Sequence, residues 1–523
     1  MVRLRLLALC GILVLAELAS AQPLAPQPVA PWPESPRATA PNVFYGLASA
    51  DRVSLEFTPW FSDAGFDGVA AATVGWPMRG NVPANTYATA ALGPVWGIRS
   101  WKYDPPETPY VWRPTVGPDG TIYVCTTNLT SGVLGKLVAL KPDGTVKWST
   151  LLTNSANVNV WTSTSPVLDQ DGNLYVAWAH DRDFRSLTCI SFDAAGTVRW
   201  HFEPNIELEY ASHQEPVLAN GTLYAALDTS FYIGNPTHRA SIFALDPASG
   251  KSRWHWRSPN LDTFFDGPAV GPDGAIYHAS SSNGLRGADG WLYRIWPDGT
   301  LDWSVDIGPG VNNPPAVDEN NNSYLGDLVG VAYKFGPDGK MKWSYDTQSG
   351  RIYTTTAYHK GRVYVGAAGA GLHVLDAETG GKLAIYGAGY YPMGKSLDRA
   401  GNVFFYCFDG PGSVLAFGRD GQLRWQSTTG AGVSVNACIV GADGLLLASS
   451  SQSLTAFTGR TVGDLNCDGV VDNFDIDPFV LALTDEPGYK QKYPDCERML
   501  ADINGDGVVD NFDIDPFVVL LTP

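Results

Sequence analysis

The stretch from Pro114 to Trp148 reads PTVGPDGTIYVCTTNLTSGVLGKLVALKPDGTVKW. Its runs Thr121-Ile122-Tyr123-Val124, Lys136 to Leu140 and Thr145-Val146-Lys147-Trp148 are set apart by Asp-Gly turns. Asp-Gly between such runs predicts tight hairpins, because the turn needs positive φ and glycine supplies it at little cost. One unit is therefore four antiparallel strands. It returns at Pro166–Trp200, Pro216–Trp254, Pro268–Trp303, Pro315–Trp343, Thr356–Ile385 and Ser396–Trp425, with Ile385 at the Trp position. Four-strand repeats spaced by about 40–52 residues predict a β-propeller.

The seven full copies leave a remainder. After Trp425, ACIVGADGLLLASS and SLTAFTG supply three strands without a fourth. An outer strand without a sheet stands before the first copy, at Val95 to Trp101. Joining it to the remainder closes the ring and hides two exposed sheet edges. The prediction is an all-β, eight-bladed propeller over residues 96–459.

The repeat pattern, with its Ile-Tyr-Val run, Leu-x-Ala-Leu-Asp turn and terminal Trp, resembles the PQQ-type repeats of quinoprotein propellers. The lead-in Gly75-Trp76-Pro77-Met78-Arg79-Gly80-Asn81 is similar to the segment that opens such propellers. Members that are dehydrogenases pair two adjacent cysteines under pyrroloquinoline quinone. This chain has no adjacent cysteines, so the resemblance does not carry the cofactor with it, and none is expected. The repeat Trp residues are expected to dock one blade on the next. Asp119-Gly120, Asp143-Gly144, Asp171-Gly172, Asp273-Gly274, Asp298-Gly299 and Asp338-Gly339 are expected to be turns, as is Asp169 to Asn173. His201 and His255 each follow a repeat Trp and fall on outer strands.

Residues 1–21 read as a secretory signal peptide, with Arg3 and Arg5 before an apolar stretch from Leu6 to Leu18 and Ala19-Ser20-Ala21 as the cleavage site. Residues 22–41 are a proline-rich linker. Residues 42–95 form an N-terminal extension without a clean period, and residues 460–463 join the propeller to the C-terminal stretch. The expected localisation is secreted, extracellular or associated with the cell surface. Disulfides are allowed there. Cys467 with Cys496 is the best pair, both lying in one small module. Cys407 and Cys438 fall on neighbouring blades, where a pairing is open to them, and Cys125 and Cys189 are expected to be buried thiols.

The net charge of −18 argues against nucleic acid and anionic membrane surfaces. Much of it is local. Residues 464–523 hold fourteen Asp/Glu and three Lys/Arg, a net of −11, which leaves −7 for the rest. Within that stretch VVDNFDIDPFV occurs twice. A twelve-residue calcium loop takes ligands from positions 1, 3, 5, 7, 9 and 12, with Gly at position 6. One copy places Asp464, Asn466, Asp468, Val470, Asp472 and Asp475 at those positions, with Gly469 at the sixth. The other places Asp502, Asn504, Asp506, Val508, Asp510 and Asp513, with Gly507. Val470 and Val508 would give backbone carbonyls. Two calcium ions are expected, each loop running into a helix near position 12.

Two such loops over residues 464–523 resemble a type I dockerin, a module that binds cohesins on scaffolds or cell surfaces. The resemblance implies a partner-binding surface at Asn473, Phe474, Val480, Leu481, Asn511, Phe512, Val518 and Val519. Family members often carry Ser-Thr and Lys-Arg at these positions. Here the patch is apolar, which turns the expectation toward a cohesin-like or other receptor.

No HExxH or GxSxG motif is present. The leading expectation is a secreted, non-catalytic binding protein, its propeller face open to a carbohydrate or protein ligand. The alternatives are an extracellular polysaccharide-active enzyme with a site on the propeller's central face and, more remotely, a quinone-dependent dehydrogenase.

Overall fold

A computed structural model describes the chain from Asn81 to Leu521. Outside the described residues lie 129–133, 181–186, 205–214, 228–239, 261–266, 282–289, 408–412, 430–436, 467–470, 505–507 and scattered shorter positions. The signal peptide, the proline-rich linker and most of the lead-in also lie outside them.

Eight antiparallel sheets form the propeller. In the second blade, Val167–Leu168, Leu174–His180, Leu187–Phe192 and Val198–Phe202 pair in that order. The inner strands are buried on both faces, since each sheet is packed between two others. Ile242 and Ala244, for example, alternate with the equally buried Phe243 and Leu245. That is why the inner runs read as continuous apolar stretches rather than alternating ones. The outermost strands are mostly half-buried or exposed, as in Ser252–Arg257.

The eighth sheet combines the two ends of the ring. Ile98–Tyr103 runs antiparallel to Leu454–Thr458, which continues through Leu445–Ser449 to Cys438–Val440. The predicted closure is therefore present. One blade departs from the pattern. The first has its innermost strand in two pieces, Tyr110–Val111 and Thr115–Val116, both paired with Ile122–Asn128.

The terminal Trp of each repeat fastens its blade to the next. The indole N–H of Trp148 donates to the Ala194 carbonyl at 3.2 Å, and that of Trp200 to Pro247 at 3.0 Å. Trp254, Trp303 and Trp343 donate to Pro297, Pro337 and Ala377 in the same way. At the closure, Trp425 donates to Pro94 at 3.0 Å and Trp101 to Pro142 at 2.8 Å. The sixth repeat has Ile385 at the Trp position, but the neighbouring Tyr386 donates its hydroxyl to the Arg419 carbonyl at 3.0 Å. The ring face rests on a turn glycine of the next blade. At Gly144, with φ of +83°, a Cβ would sit 2.5 Å from the Trp101 ring, so the Asp143-Gly144 turn serves both hairpin geometry and blade packing.

Three buried histidines give the propeller a pH dependence. Burial pulls the His278 imidazole down to about 3. Burial, then Lys360 and Arg419, pull His359 to about 4. Burial also lowers His373, whose Nδ1 meets the Tyr345 hydroxyl at 3.1 Å. A depressed histidine stays neutral when folded and takes up its proton on unfolding. Its contribution is present above the unfolded value near 6.5 and is lost as pH falls through the folded value. Carboxylates act lower: Asp246, held by Arg253 and Ser249, sits at about 2. The melting temperature of the propeller is expected to fall between pH 6.5 and 4. His359→Gln should remove about 3 kcal/mol of that fall, read from denaturant titrations at pH 7 and pH 4. An unchanged pH slope in the variant would contradict this.

Candidate functional site

Two regions gather polar side chains: the propeller axis, where they are buried, and the C-terminal module.

The axis is lined by the innermost strands and is crossed by the described residues of 81–93. Val317 of the fifth blade donates its N–H to Ala84, and the Asn85 amide donates to Pro268 of the fourth, at 2.9 and 3.1 Å. Leu397 of the seventh blade exchanges hydrogen bonds with Tyr87 and Thr89, in a parallel bridge opposite Ala88. Arg399 then donates to Ala91, and the Asp398 carboxylate accepts from Gly93. Asn85 is buried among Glu215, Pro216, Gly267, Pro268 and Pro314, with no water-sized space between them.

Glu215 joins three blades at this point. Its Oε1 accepts from the Arg113 guanidinium at 2.8 Å and its Oε2 from the Ser165 N–H at 2.6 Å. Lys395 is buried near the same edge and donates to the Thr354 hydroxyl and the Thr355 carbonyl. These groups are committed to holding inner strands together. Sequence reasoning missed them, since Arg113, Glu215 and Lys395 belong to no shared motif.

The cysteines are dispersed. Cys125, Cys189, Cys407 and Cys438 are all buried thiols outside any disulfide. Cys125 and Cys189 are as expected. The pairing open to Cys407 and Cys438 is not formed, because the two thiols fill different core clusters. Cys407 packs with Phe405 and Leu415, and Cys438 with Phe404 and Tyr406. Burial, with Cys407 nearby, pushes the Cys438 thiol up. Cys496 is buried, and Cys467 lies outside the described residues.

Asp169 caps its own turn, accepting from the N–H groups of Asp171 and Asn173 and from the Tyr175 hydroxyl. His201 is half-buried, its Nε2 donating to the Thr153 carbonyl, and the exposed His255 stacks on Phe243 at 4.1 Å.

Among the described residues of the C-terminal module are three short helices, α1 (Ile476–Thr484), α2 (Glu486–Lys492) and α3 (Ile514–Leu521). The repeat predicts α1 and α3, while α2 comes from the spacer between the copies. Phe479 and Phe517 stack at 4.1 Å across the repeat, in a core with Leu465, Tyr489, Leu500 and Val509. Each repeated loop is organised by the Asp at its twelfth position. Asp475 is fully buried. Its Oδ1 accepts from Leu465 and Asn466 at 2.7 and 2.9 Å, and its Oδ2 from Asp472 at 2.9 Å. Asp513 repeats this with Ile503, Asn504 and Asp510 at 2.7, 3.1 and 2.9 Å. Asp472 and Asp510 in turn cap the following helical turns.

A carboxylate oxygen has two lone-pair positions, so the Oδ2 of Asp475 and of Asp513 each keeps one. Asp464 is buried with Asp475, while Asn466, Asp472, Asp502, Asn504 and Asp510 are partly or fully accessible. Carboxylate and amide oxygens are the ligand type that a hard cation takes. Among the described residues no three His, Cys, Asp or Glu side chains converge as a complete metal site. Asp468, Val470 and Asp506, expected ligands, lie outside the described residues, and Val508 is exposed. Of the expected partner-binding residues, Asn473, Phe474, Val480, Asn511, Phe512, Val518 and Val519 are exposed, and Leu481 is half-buried against the module core.

The family model described as "Outer membrane protein assembly factor BamB", of PQQ type, matches residues 88–262 and 288–461. The quinoprotein glucose dehydrogenase of Escherichia coli K12 is 28% identical over 191 residues, covering 33% of this chain. The chain spans 21% of the length of that relative. Among solved structures, a europium-containing methanol dehydrogenase superposes with a TM-score of 0.56 at 13% identity, over 71% of this chain and 88% of its own. The quinohemoprotein alcohol dehydrogenase of Comamonas testosteroni gives 0.56 at 14%, over 73% and 80%. At these identities the likeness is one of fold.

Proposed function

Because the chain belongs to the PQQ-like repeat family of outer membrane protein assembly factor BamB, we propose that it is a non-catalytic binding protein built on that propeller. It is secreted. Its C-terminal module is a calcium-dependent, dockerin-like attachment domain that carries the propeller to a scaffold or a cell-surface receptor, cohesin-like or otherwise. Cys467 pairs with Cys496 and ties α2's far end to the first loop.

The observation that carries this reading is the duplicated loop, in which a buried aspartate gathers three backbone N–H groups and caps a helix. Asp464, Asn466, Asp468, Asp472 and Asp475 hold one calcium ion with the Val470 carbonyl, and Asp502, Asn504, Asp506, Asp510 and Asp513 hold the other with the Val508 carbonyl. Bound calcium supplies positive charge to loops that are otherwise uniformly acidic.

A second reading follows from the propeller's relatives, since the matched names are quinoprotein dehydrogenases. Against it stands the absence of adjacent cysteines in the chain. The four propeller thiols occupy separate strands inside the sheets, so no adjacent pair can form a platform. Asn85, Glu215 and Arg113 use the axis for packing.

Incubation with pyrroloquinoline quinone and calcium, followed by desalting and a dye-linked alcohol oxidation assay, tests the proposal. The expected result is no retained quinone absorbance and no turnover. A stoichiometric quinone spectrum would replace the binding-protein reading with the dehydrogenase one.

A further inference from the structure

The two copies of the C-terminal repeat share their sequence but not their surroundings. Phe474 and Phe512 are each 77% exposed, and Ile476 and Ile514 each 41%. Beyond these the faces diverge. On α1, Leu481 is half-buried and Ala482 fully buried, because α2 folds back on that helix. On α3, Val519 is 68% and Leu520 47% exposed. The second repeat therefore shows the wider apolar face, running from Phe512 through Ile514 and Val518 to Val519. A large aromatic and adjoining aliphatic residues in water are the composition of an interface centre.

The charge around that face indicates what covers it. Residues 464–484 and 502–523 contain no Lys or Arg, whereas Asp477 and Asp515 are exposed beside the two Phe residues. The module's three cations lie elsewhere and are engaged. Lys490 pairs with Glu486 at 2.7 Å, and Lys492 stands over the Tyr493 ring. Arg498 donates to the Ala482 and Val509 carbonyls. A second calcium-loaded copy would set one module of net −7, the −11 of its side chains offset by two calcium ions, against another, and like charge across an interface opposes association. The remainder of the chain, at −7, is acidic as well.

From this we propose that the second repeat is the main docking face, and that its occupant is a separate protein whose apolar recess is bordered by Lys and Arg. The proposal rests on the reading of 464–523 as a calcium-folded attachment module. Phe512 enters the recess, Ile514, Val518 and Val519 pack on its walls, and Asp515 faces the basic rim. Phe474 takes a minor part.

The test uses the full chain, loaded with calcium, and two immobilised amphipathic helical peptides. One has leucines on one face and lysines around it; the other has the same leucines with glutamates. The lysine peptide is expected to bind at least about tenfold more tightly, with the difference shrinking in high salt. Phe512→Ser should weaken it about tenfold and Phe474→Ser less than about threefold. Both side chains are mostly in solvent, so the variants should fold, which calcium stoichiometry on the same samples checks. Equal binding of the two peptides, equal loss in the two variants, or a calcium-loaded dimer by light scattering would overturn the proposal. Two bound calcium ions with no preference between peptides would sink the docking inference alone. No bound calcium would sink the reading beneath it as well.

Discussion

Deletion of residues 95–103 is expected to open the ring and abolish the soluble monomer. The segment supplies Ile98–Tyr103, the strand that covers Leu454–Thr458. Without it the eighth sheet ends in an unpaired edge, a template for association with other chains. The loss reaches the interior as well. The Trp425 indole would lose the support of Gly97 beneath its ring. Trp101, which fastens the closing strand to the first blade through Pro142, would vanish. A narrower variant separates these effects. Trp425→Ala leaves the strand intact and removes a ring that is buried against Phe404 and Phe457. Truncating a buried Trp costs about 3–5 kcal/mol. The expected order of melting temperatures is wild type, then Trp425→Ala, then the deletion, which should elute as aggregate. A deletion variant that melts and elutes like the wild type would contradict the role assigned to the strand.

Chelation of calcium is expected to unfold residues 464–523 while the propeller keeps its transition. The module is about the size at which burial alone stabilises a fold only marginally, and its net charge is −11. Two calcium ions bring that to −7. A ligand bound only by the folded state adds about 2.7 kcal/mol per site at one hundred times its dissociation constant. Two such sites supply most of what a domain of this size needs. The Asp475 and Asp513 carboxylates order three backbone groups in each loop, so loss of the ion should loosen loop and helix together. Hydrogen exchange on the full chain should show fast exchange across 464–523 in chelator and protection with calcium, beside propeller strands protected throughout. Calorimetry should give two ions per chain, Asp464→Ala removing one and Asp502→Ala the other. Unchanged protection in chelator, or a stoichiometry of zero, would contradict the claim.

The blades were legible because each repeat states its strands and turns locally. Asp143-Gly144 and its counterparts mark hairpins, and Trp148 and its counterparts mark blade contacts. Even the closing strand was legible, as a remainder that had to be completed. What escaped was fixed by contacts distant in sequence. Residues 81–93 show no period because they bind the fifth and seventh blades through backbone groups, with the Asn85 side chain reaching the fourth, and backbone pairing places few demands on side chains. The split inner strand around Trp112 and Arg113 is tied through Arg113 to Glu215 of another blade. Tyr386 stands in for the missing Trp from the neighbouring position, with Ile385 occupying the repeat position. In the C-terminal module the duplicated motif announced the loops and two helices. It said nothing of α2, whose sequence occurs once, nor of the unequal exposure that α2 creates.

The seam in the eighth blade sets an order of assembly. Its outer strand is made first and its remaining strands, ending at Thr458, are made last among the blades. Residues 81–93 likewise wait for the blades that receive them at Pro268, Val317 and Leu397. During synthesis the N-terminal segment therefore travels unpaired while successive blades form behind it by local hairpins. Pairing across so long a separation is slow compared with those hairpins. An incomplete chain released before Thr458 would carry two open edges and a bare inner channel, the kind of exposed surface that leads to aggregation. The ring thus holds its most vulnerable state until its last blade is complete.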